Sequence, residues 1–221
     1  MKIYNDFFKT YSISEIRNIL NYKKVLPEDL VNLSKKIIKD KKNYNFLTKS
    51  SYSQLKKMSF KKKLVFNHKK KLSCIPFLAK DIFNTNEFNT EMGSKIWKNF
   101  KAGNNARVID SLLDNGSILI GKSTTAEFAV HHETECKNSI DITRLPGTSS
   151  TGSAVAVSLG IVPFSLGTQT AGSLIRPASY NGIYAMKPSF GMIPRTGVLK
   201  TCDSLDTVGF LTSRFENIKT I

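Results

Sequence analysis

Cysteine is scarce in this sequence, and long hydrophobic runs are absent. Three cysteines occur among 221 residues, and the wide spacing of Cys74, Cys136 and Cys202 matches no metal-binding pattern. So few thiols favour a reducing compartment. No run approaches the ~20 apolar residues of a membrane helix, and Asp6 and Lys9 interrupt the apolar residues that a signal peptide would need. We therefore expect a cytoplasmic protein with no membrane contact and no metal site.

Acidic residues are also scarce. The chain has 17 Asp and Glu residues against 33 Lys and Arg residues, which gives a formal net charge of +16. A nucleic-acid partner would suit this charge. However, most of the excess consists of lysines scattered over residues 1–72, and the lysine runs at 61–63 and 69–71 are typical of a solvated linker. Compositional bias is the favoured explanation, and a nucleic-acid partner is not expected.

The hydrophobic pattern predicts an α/β fold with a mixed β-sheet core flanked by helices. Residues 1–72 are predicted to form an N-terminal helical, lysine-rich arm and linker. Within them, two helices over residues 1–40 should pack outside the core, and residues 48–72 should form a linker or loose helix. Residues 73–221 are predicted to form the core. Its predicted strands cover residues 75–79, 117–120, 163–166 and 183–186, and its predicted helices cover residues 106–113 and 153–160.

Two clusters of glycine, serine and threonine carry the strongest chemical signal. They occupy residues 147–153 and 167–173 and bracket an apolar run over residues 154–166. Small residues let backbone N–H groups converge on a negatively charged oxygen. Hydroxyl groups in the same loops are candidate nucleophiles. The pattern therefore favours catalysis by a serine nucleophile over a purely structural loop.

A serine nucleophile needs a base, and histidine usually provides it. Here His68, His131 and His132 all lie outside the small-residue motifs. A lysine can replace histidine only if burial in apolar surroundings lowers its pKa. Lys80 follows the apolar residues 75–79, a short predicted strand, and few of the other lysines follow such a run. Asp81 should point to the opposite face of that strand, so it need not pair with Lys80.

Three segments of the chain resemble the amidase signature family in sequence and in order. Residues 75–81 read IPFLAKD, residues 121–129 read GKSTTAEFA, and residues 147–191 read GTSSTGSAVAVSLGIVPFSLGTQTAGSLIRPASYNGIYAMKPSFG. The resemblance implies a serine–serine–lysine amidohydrolase that needs no cofactor. It identifies Ser173 as the nucleophile, Ser149 as the bridging serine and Lys80 as the base. The implied oxyanion hole consists of the backbone N–H groups of Thr170, Ala171, Gly172 and Ser173.

The resemblance also indicates supporting residues and departures from the family pattern. Ser150 is a candidate either for a hydrogen bond to the triad or for capping the helix that follows it. Arg176 is a second supporting candidate, although an internal ion pair that anchors a loop is the favoured interpretation. Thr148 and Ala171 stand where the family usually has glycine, and the methyl group of Ala171 is tolerated only at negative φ. The family's peptide bond before the bridging serine is cis.

Two other features favour structure over chemistry. Residues 116–123 read GSILIGKS and match the phosphate-binding loop of nucleotide-binding proteins letter for letter. The context disfavours this alternative, because residues 117–120 predict a strand where that loop would have to lie. Asp203 and Asp206 are interpreted as turn residues rather than catalytic residues.

The implied reaction is hydrolysis of the C–N bond of a small-molecule amide through an acyl-enzyme. One alternative is the amidase-type subunit of a glutamyl-tRNA amidotransferase. Another is an inactive remnant or one piece of a split protein, because the sequence stops at Ile221 where a helix is beginning. The resemblance implies further chain there, so we expect a fold truncated at its C-terminus. A complementary C-terminal half or a second copy of the chain is the expected partner.

Overall fold

The computed structural model describes residues 4–60, 64–130 and 132–221, which form eight α-helices and five β-strands. The lysine run at 61–63 and His131 lie outside the described residues. The helices are α1 (Phe7–Thr10), α2 (Ile13–Asn21), α3 (Pro27–Asp40), α4 (Lys49–Lys57), α5 (Arg107–Asp114), α6 (Thr151–Ser158), α7 (Ile175–Tyr180) and α8 (Asn217–Thr220). The strands are β1 (Pro76–Lys80), β2 (Ile118–Ser123), β3 (Phe164–Gln169), β4 (Tyr184–Met186) and β5 (Thr207–Thr212).

The five strands form one mixed sheet in the order β2-β1-β3-β5-β4. Strand β1 pairs in parallel with β2 and β3, whereas β5 pairs antiparallel with β3 and β4. Every residue of β1, β2 and β5 is buried, as expected for strands that are covered on both faces. The predicted α/β fold with a mixed sheet is confirmed.

Helix α6 lies across the middle of this sheet and contacts β1, β2, β3 and β5. Its sequence, TGSAVAVS, has no polar face, and all but its last residue is buried. Small side chains allow this close approach. A Cβ atom at Gly152 would lie 2.3 Å from the carbonyl oxygen of Phe46, so only glycine fits there. The helix thereby brings the Ser149 loop at its N-terminus onto the sheet.

Strand β3 ends three residues later than predicted, at Gln169 rather than at Leu166. Residues 167–169 belong to the second small-residue cluster, yet they continue the ladder with β5, and Gln169 pairs with Thr207. Glycine and threonine fit a strand here because the neighbouring strand satisfies their backbone groups. Strand β3 therefore delivers the following residues, 170–173, directly to the end of the sheet.

The N-terminal helices are part of the hydrophobic core, and the expectation that they pack outside it is wrong. Phe8, Ile16 and Leu30 belong to the same buried cluster as the strands of the sheet. Helix α4 also lies in a region interpreted as linker or loose helix, and it turns Leu55 toward the core. The hydroxyl oxygen of Ser51 accepts a 2.7 Å hydrogen bond from the backbone N–H of Lys122 in β2. The division into residues 1–72 and 73–221 stays a prediction.

The two ends of the described chain are joined by a buried asparagine. Asn217 Oδ1 accepts a 2.7 Å hydrogen bond from the backbone N–H of Ile13, the first residue of α2. Asn217 Nδ2 donates a 2.9 Å hydrogen bond to the hydroxyl of Thr212, the last residue of β5. Helix α8 therefore attaches α2 to the end of β5. No helix in the described parts of the chain has the length and apolarity to cross a membrane.

Candidate active site

Lys80 is the last residue of β1 and is fully buried. Its Nζ lies 2.7 Å from Ser149 Oγ and 3.0 Å from Thr168 Oγ1. Burial lowers the pKa of Lys80 to about 7, and the nearby carboxylate of Asp206 opposes this shift. The ammonium and neutral amine forms therefore coexist near neutral pH, which suits a group that accepts and returns a proton.

Lys122 lies on the neighbouring strand and has a different environment. Its Nζ donates hydrogen bonds to Asp81 Oδ1 at 3.1 Å, to the Phe83 carbonyl at 2.7 Å and to Thr90 Oγ1 at 2.9 Å. Burial lowers the pKa of Lys122, but the carboxylate of Asp81 opposes the change. As predicted from strand alternation, Asp81 points away from Lys80. Because residues 118–123 form a strand and Lys122 is engaged in a buried ion pair, the phosphate-loop alternative is excluded.

Ser149 and Ser150 lie in the loop that leads into α6. The Thr148–Ser149 peptide bond is cis, and Ser149 is buried against Lys80. Ser150 precedes the helix but makes no side-chain capping bond. Its Oγ instead donates to the Thr168 carbonyl at 3.2 Å and accepts from the Thr168 N–H at 3.3 Å. Ser150 thus connects the serine loop to β3, and in the described chain its side chain makes neither the capping bond nor a hydrogen bond to Lys80, Ser149 or Ser173.

The 170–173 loop lies beside the serine loop. The backbone N–H of Ser150 donates to the carbonyl oxygen of Ser173 at 3.1 Å. Within the described part of the chain, the backbone N–H groups of Ala171, Gly172 and Ser173 donate to no protein acceptor. Ser173 is half-buried and Ala171 is exposed. The loop therefore presents free N–H donors next to a partly accessible serine.

Ala171 and Gly172 in this loop differ in how easily the backbone accommodates a side chain. Ala171 does not lie in the left-handed region of φ, so its methyl group is compatible with the loop. Gly172 faces the guanidinium group of Arg176. A Cβ atom at Gly172 would lie 2.8 Å from Arg176 Nη2, so a larger residue there would require the end of the Arg176 side chain to move.

A cavity of about 460 Å³ opens next to the serine loop. Gly147, Thr148, Arg176 and Tyr180 contribute to its wall, together with residues 132–137 and 142–146. Ion pairing of Arg176 stays a prediction, but its position on the cavity wall gives it access to a bound molecule. His132 also lines the cavity, while its Nδ1 lies 2.6 Å from the carbonyl of Glu133. The described residues contain no group of three or more His, Cys, Asp or Glu side chains that could hold a metal ion.

Sequence reasoning misses two polar residues near Lys80. Thr168 contacts Nζ directly, and the interpretation of its segment as a loop hides its position on β3. Asp206 is interpreted from the sequence as a turn residue, and it does accept hydrogen bonds from the N–H groups of Thr201 and Cys202. Its other carboxylate oxygen, however, accepts a hydrogen bond from Thr170 Oγ1. Only the pairing of β3 with β5 reveals this contact.

The chain matches known proteins over nearly its whole length. The family model described as Amidase matches residues 29–221. A glutamyl-tRNA(Gln) amidotransferase subunit from Legionella pneumophila (strain Corby) is 33% identical over 219 residues, which cover 96% of this chain and 45% of that protein.

Solved structures give the same result. An amidase family protein from Bacillus anthracis str. Ames superposes with a TM-score of 0.83 at 22% identity, covering 98% of this chain and 46% of that chain. The corresponding glutamyl-tRNA(Gln) amidotransferase subunit from Thermotoga maritima superposes with a TM-score of 0.77 at 29% identity, covering 97% and 47%. This chain thus spans less than half the length of these relatives, and it belongs to the amidase family.

Proposed function

We propose that this chain carries a serine–serine–lysine group that hydrolyses the C–N bond of a small-molecule amide. Lys80 is the base, Ser149 the bridging serine and Ser173 the nucleophile. The environment of Lys80 supports this proposal most strongly. Its Nζ is buried 2.7 Å from Ser149 Oγ, and its pKa is about 7. A lysine with such a pKa has a substantial neutral fraction under physiological conditions.

The proposed reaction begins with two proton transfers. Neutral Lys80 accepts the proton of Ser149 Oγ as Ser149 accepts the proton of Ser173 Oγ. The Ser173 oxygen then forms a bond to the amide carbon, and the carbonyl oxygen becomes negatively charged. Return of the proton to the amide nitrogen allows the C–N bond to break and the amine to leave. Water then attacks the acyl-enzyme by the same proton route and releases the acid.

The free N–H groups of residues 171–173 would stabilise the negative charge on that oxygen. Donors of this kind are already oriented before the reaction, and each is typically worth about 2.7–4 kcal/mol in the transition state. The backbone N–H of Thr170 is the fourth proposed donor, and the side chain of Thr170 is bonded to Asp206. The adjacent cavity of about 460 Å³ is large enough for a small-molecule amide. None of these steps needs a cofactor.

A fluorophosphonate probe tests the proposal, because it forms a stable bond to an activated serine as fluoride leaves. We expect mass mapping to find the label on Ser173. The labelling rate should rise with pH and reach half its plateau near pH 7, since Lys80 must be neutral and its pKa is about 7. Lys80→Met should remove most of the labelling. A label on Ser149 or Ser150, or a rate that does not depend on pH, would contradict the assignment.

A second candidate function is that of an amidotransferase component. It is favoured by the 33% identity to a glutamyl-tRNA(Gln) amidotransferase subunit over 96% of this chain. In this case glutamine would donate the amide nitrogen, and the acyl-enzyme would be a glutamyl ester of Ser173. Glutamine should then slow fluorophosphonate labelling of Ser173, whereas asparagine should slow it less. Equal protection by simple aliphatic amides would favour the general amidase instead.

A further inference from the structure

We propose that Asp206 is a positioning residue whose carboxylate holds the 170–173 loop, and with it the nucleophile and the oxyanion donors, against the end of β5. The structural part of this inference stands on the contacts of Asp206. Its catalytic consequence rests on the proposed function.

The strand register places Asp206 opposite the loop. Gln169 and Thr207 are the last paired residues of the antiparallel β3–β5 ladder. The next position on each side is occupied by Thr170 and Asp206, where the backbone ladder has ended. Their side chains continue the connection, because Thr170 Oγ1 donates a 2.5 Å hydrogen bond to Asp206 Oδ1.

Each carboxylate oxygen of Asp206 accepts two hydrogen bonds. Oδ1 also accepts from Thr201 Oγ1 at 2.8 Å, while Oδ2 accepts from the Thr201 N–H at 2.6 Å and the Cys202 N–H at 3.0 Å. Burial acts to raise the pKa of Asp206, but the hydrogen bonds from Thr170, Thr201 and Cys202 outweigh it and hold the pKa below its ordinary value. Asp206 is therefore ionised at neutral pH, and its hydrogen bonds are charge-assisted.

The other end of the loop is held in a different way. Gln169 Oε1 accepts hydrogen bonds from the N–H groups of Leu174 at 3.1 Å and Ile175 at 3.0 Å. Between these two anchors, the N–H groups of residues 171–173 have no protein acceptor in the described chain. The direction in which these N–H groups point is consequently set by the bonds to Asp206 and Gln169 at the two ends of the loop. Loss of the Thr170–Asp206 contact would free the loop at its β3 end.

Asp206 also interacts electrostatically with Lys80, because its negative charge favours the protonated form of that lysine and so raises its pKa. Other charged groups near this position are engaged elsewhere. Arg195 and Lys200 line the same small cavity as Asp206 and Thr168, and both pair with Asp203, at 3.1 and 3.3 Å. Asp81 pairs with Lys122. Removing the charge of Asp206 should therefore lower the pKa of Lys80.

Three variants of the full chain separate these effects. Asp206→Asn removes the charge and weakens the contacts, whereas Thr170→Val removes one contact and keeps the charge. Asp203→Asn is the matched control, because it also removes one aspartate charge but makes no contact with the loop. Amide hydrogen exchange of Leu174 and Ile175 reports loop order, and the fluorophosphonate labelling rate of Ser173 reports catalysis.

We expect exchange at Leu174 and Ile175 to be about tenfold faster in Asp206→Asn, because weakening the charge-assisted bond to Thr170 lets the loop open more often and break the bonds to Gln169 at its other end. Labelling should be slower by about 10²-fold, as for a reacting group displaced by ~1 Å. The acidic limb of the labelling profile should move to lower pH in Asp206→Asn but not in Thr170→Val. Asp203→Asn should match the unmodified protein in all three measurements.

Two results would show that Asp206 does not hold the loop. One is unchanged exchange at Leu174 and Ile175 in Asp206→Asn, and the other is an equal change in Asp203→Asn. If the unmodified protein fails to label at all, the proposed function is wrong, but the exchange measurement still decides whether Asp206 orders the loop. If exchange rises and labelling does not fall, Asp206 orders the loop without any role in the reaction, and the positioning role is wrong.

Discussion

At the residue scale, Lys80 and Lys122 show how neighbouring strands give one type of side chain two different environments. Both ammonium groups are buried, and both have pKa values lowered by burial. The positive charge of Lys122 is balanced by the carboxylate of Asp81 at 3.1 Å, whereas Lys80 Nζ forms hydrogen bonds with the hydroxyls of Ser149 and Thr168. A hydroxyl cannot neutralise a positive charge, so Lys80 is the one of the two that readily gives up its proton.

Burial of Lys80 should make the stability of the protein depend on pH. The pKa of Lys80 is about 7 in the folded protein, against about 10.4 for an unfolded lysine. Between these values the unfolded chain binds more protons, so stability rises with pH there. Lys80→Met abolishes this titration. The free energy of unfolding of the variant, relative to the unmodified protein, should therefore fall by about 3 kcal/mol from about pH 7 to about pH 10.

Urea unfolding at several pH values measures this difference. Lys36→Met is the control, because it removes a lysine that is exposed on α3. If the stability of Lys80→Met relative to the unmodified protein stays constant with pH, Lys80 does not titrate as described. The same conclusion follows if the relative stability of Lys36→Met changes with pH as much as that of Lys80→Met.

At the scale of elements, the β1–β2 pair holds the Lys122–Asp81 ion pair in a fully buried position. The same ammonium also bonds the carbonyl of Phe83, so it fixes the chain that leaves β1. Lys122→Met would leave the carboxylate of Asp81 buried without its partner. We expect a loss of about 3–5 kcal/mol in the free energy of unfolding, typical of breaking a buried pair.

Equilibrium unfolding in urea measures this loss. Lys49→Met removes a lysine from an exposed ion pair with Glu135 and should leave the unfolding midpoint unchanged. The double variant Lys122→Met with Asp81→Asn should recover part of the loss, because no charge is then left unpaired. A single variant as stable as the unmodified protein would contradict a structural role for this ion pair.

The elements also show which parts of the fold the sequence could predict. The strand at residues 75–79 and the helix at residues 106–113 are correctly predicted, because local apolar patterns determine them. The extension of β3 through Gln169 is missed, since it depends on pairing with a strand that lies far away in the sequence. For the same reason, Thr168 and Asp206 could not be placed near Lys80. The assignments of Lys80, Ser149 and Ser173 come from the family resemblance and stay predictions.

At the scale of the whole molecule, one sheet edge presents an apolar surface. Strand β4 is an edge strand of three residues, and it pairs only with β5 within the described sheet. Tyr184 is 49% exposed and packs its ring against Phe215, which is 64% exposed, with ring centroids 5.8 Å apart. Met186 on the same strand is also exposed. An apolar edge of this kind favours association with other chains.

We expect Tyr184→Lys to reduce self-association of the protein. The added charge disrupts the apolar edge and its ring contact with Phe215. Val65→Lys is a matched control, because it adds the same charge at an exposed apolar position that does not belong to β4. Sedimentation velocity over a range of concentrations measures the effect. Equal self-association of both variants would show that net charge, rather than the β4 edge, governs it.

The hydrogen bond between Ile13 and Asn217 also has a consequence for synthesis on the ribosome. The two residues are 204 positions apart, and α2 and α8 contact each other where this bond forms. At about 5–20 residues per second, the ribosome adds Asn217 roughly 10–40 s after Ile13. During that time the first N–H group of α2 has no buried acceptor. Helix α2 is therefore translated early but reaches its final packing only after α8 has been made.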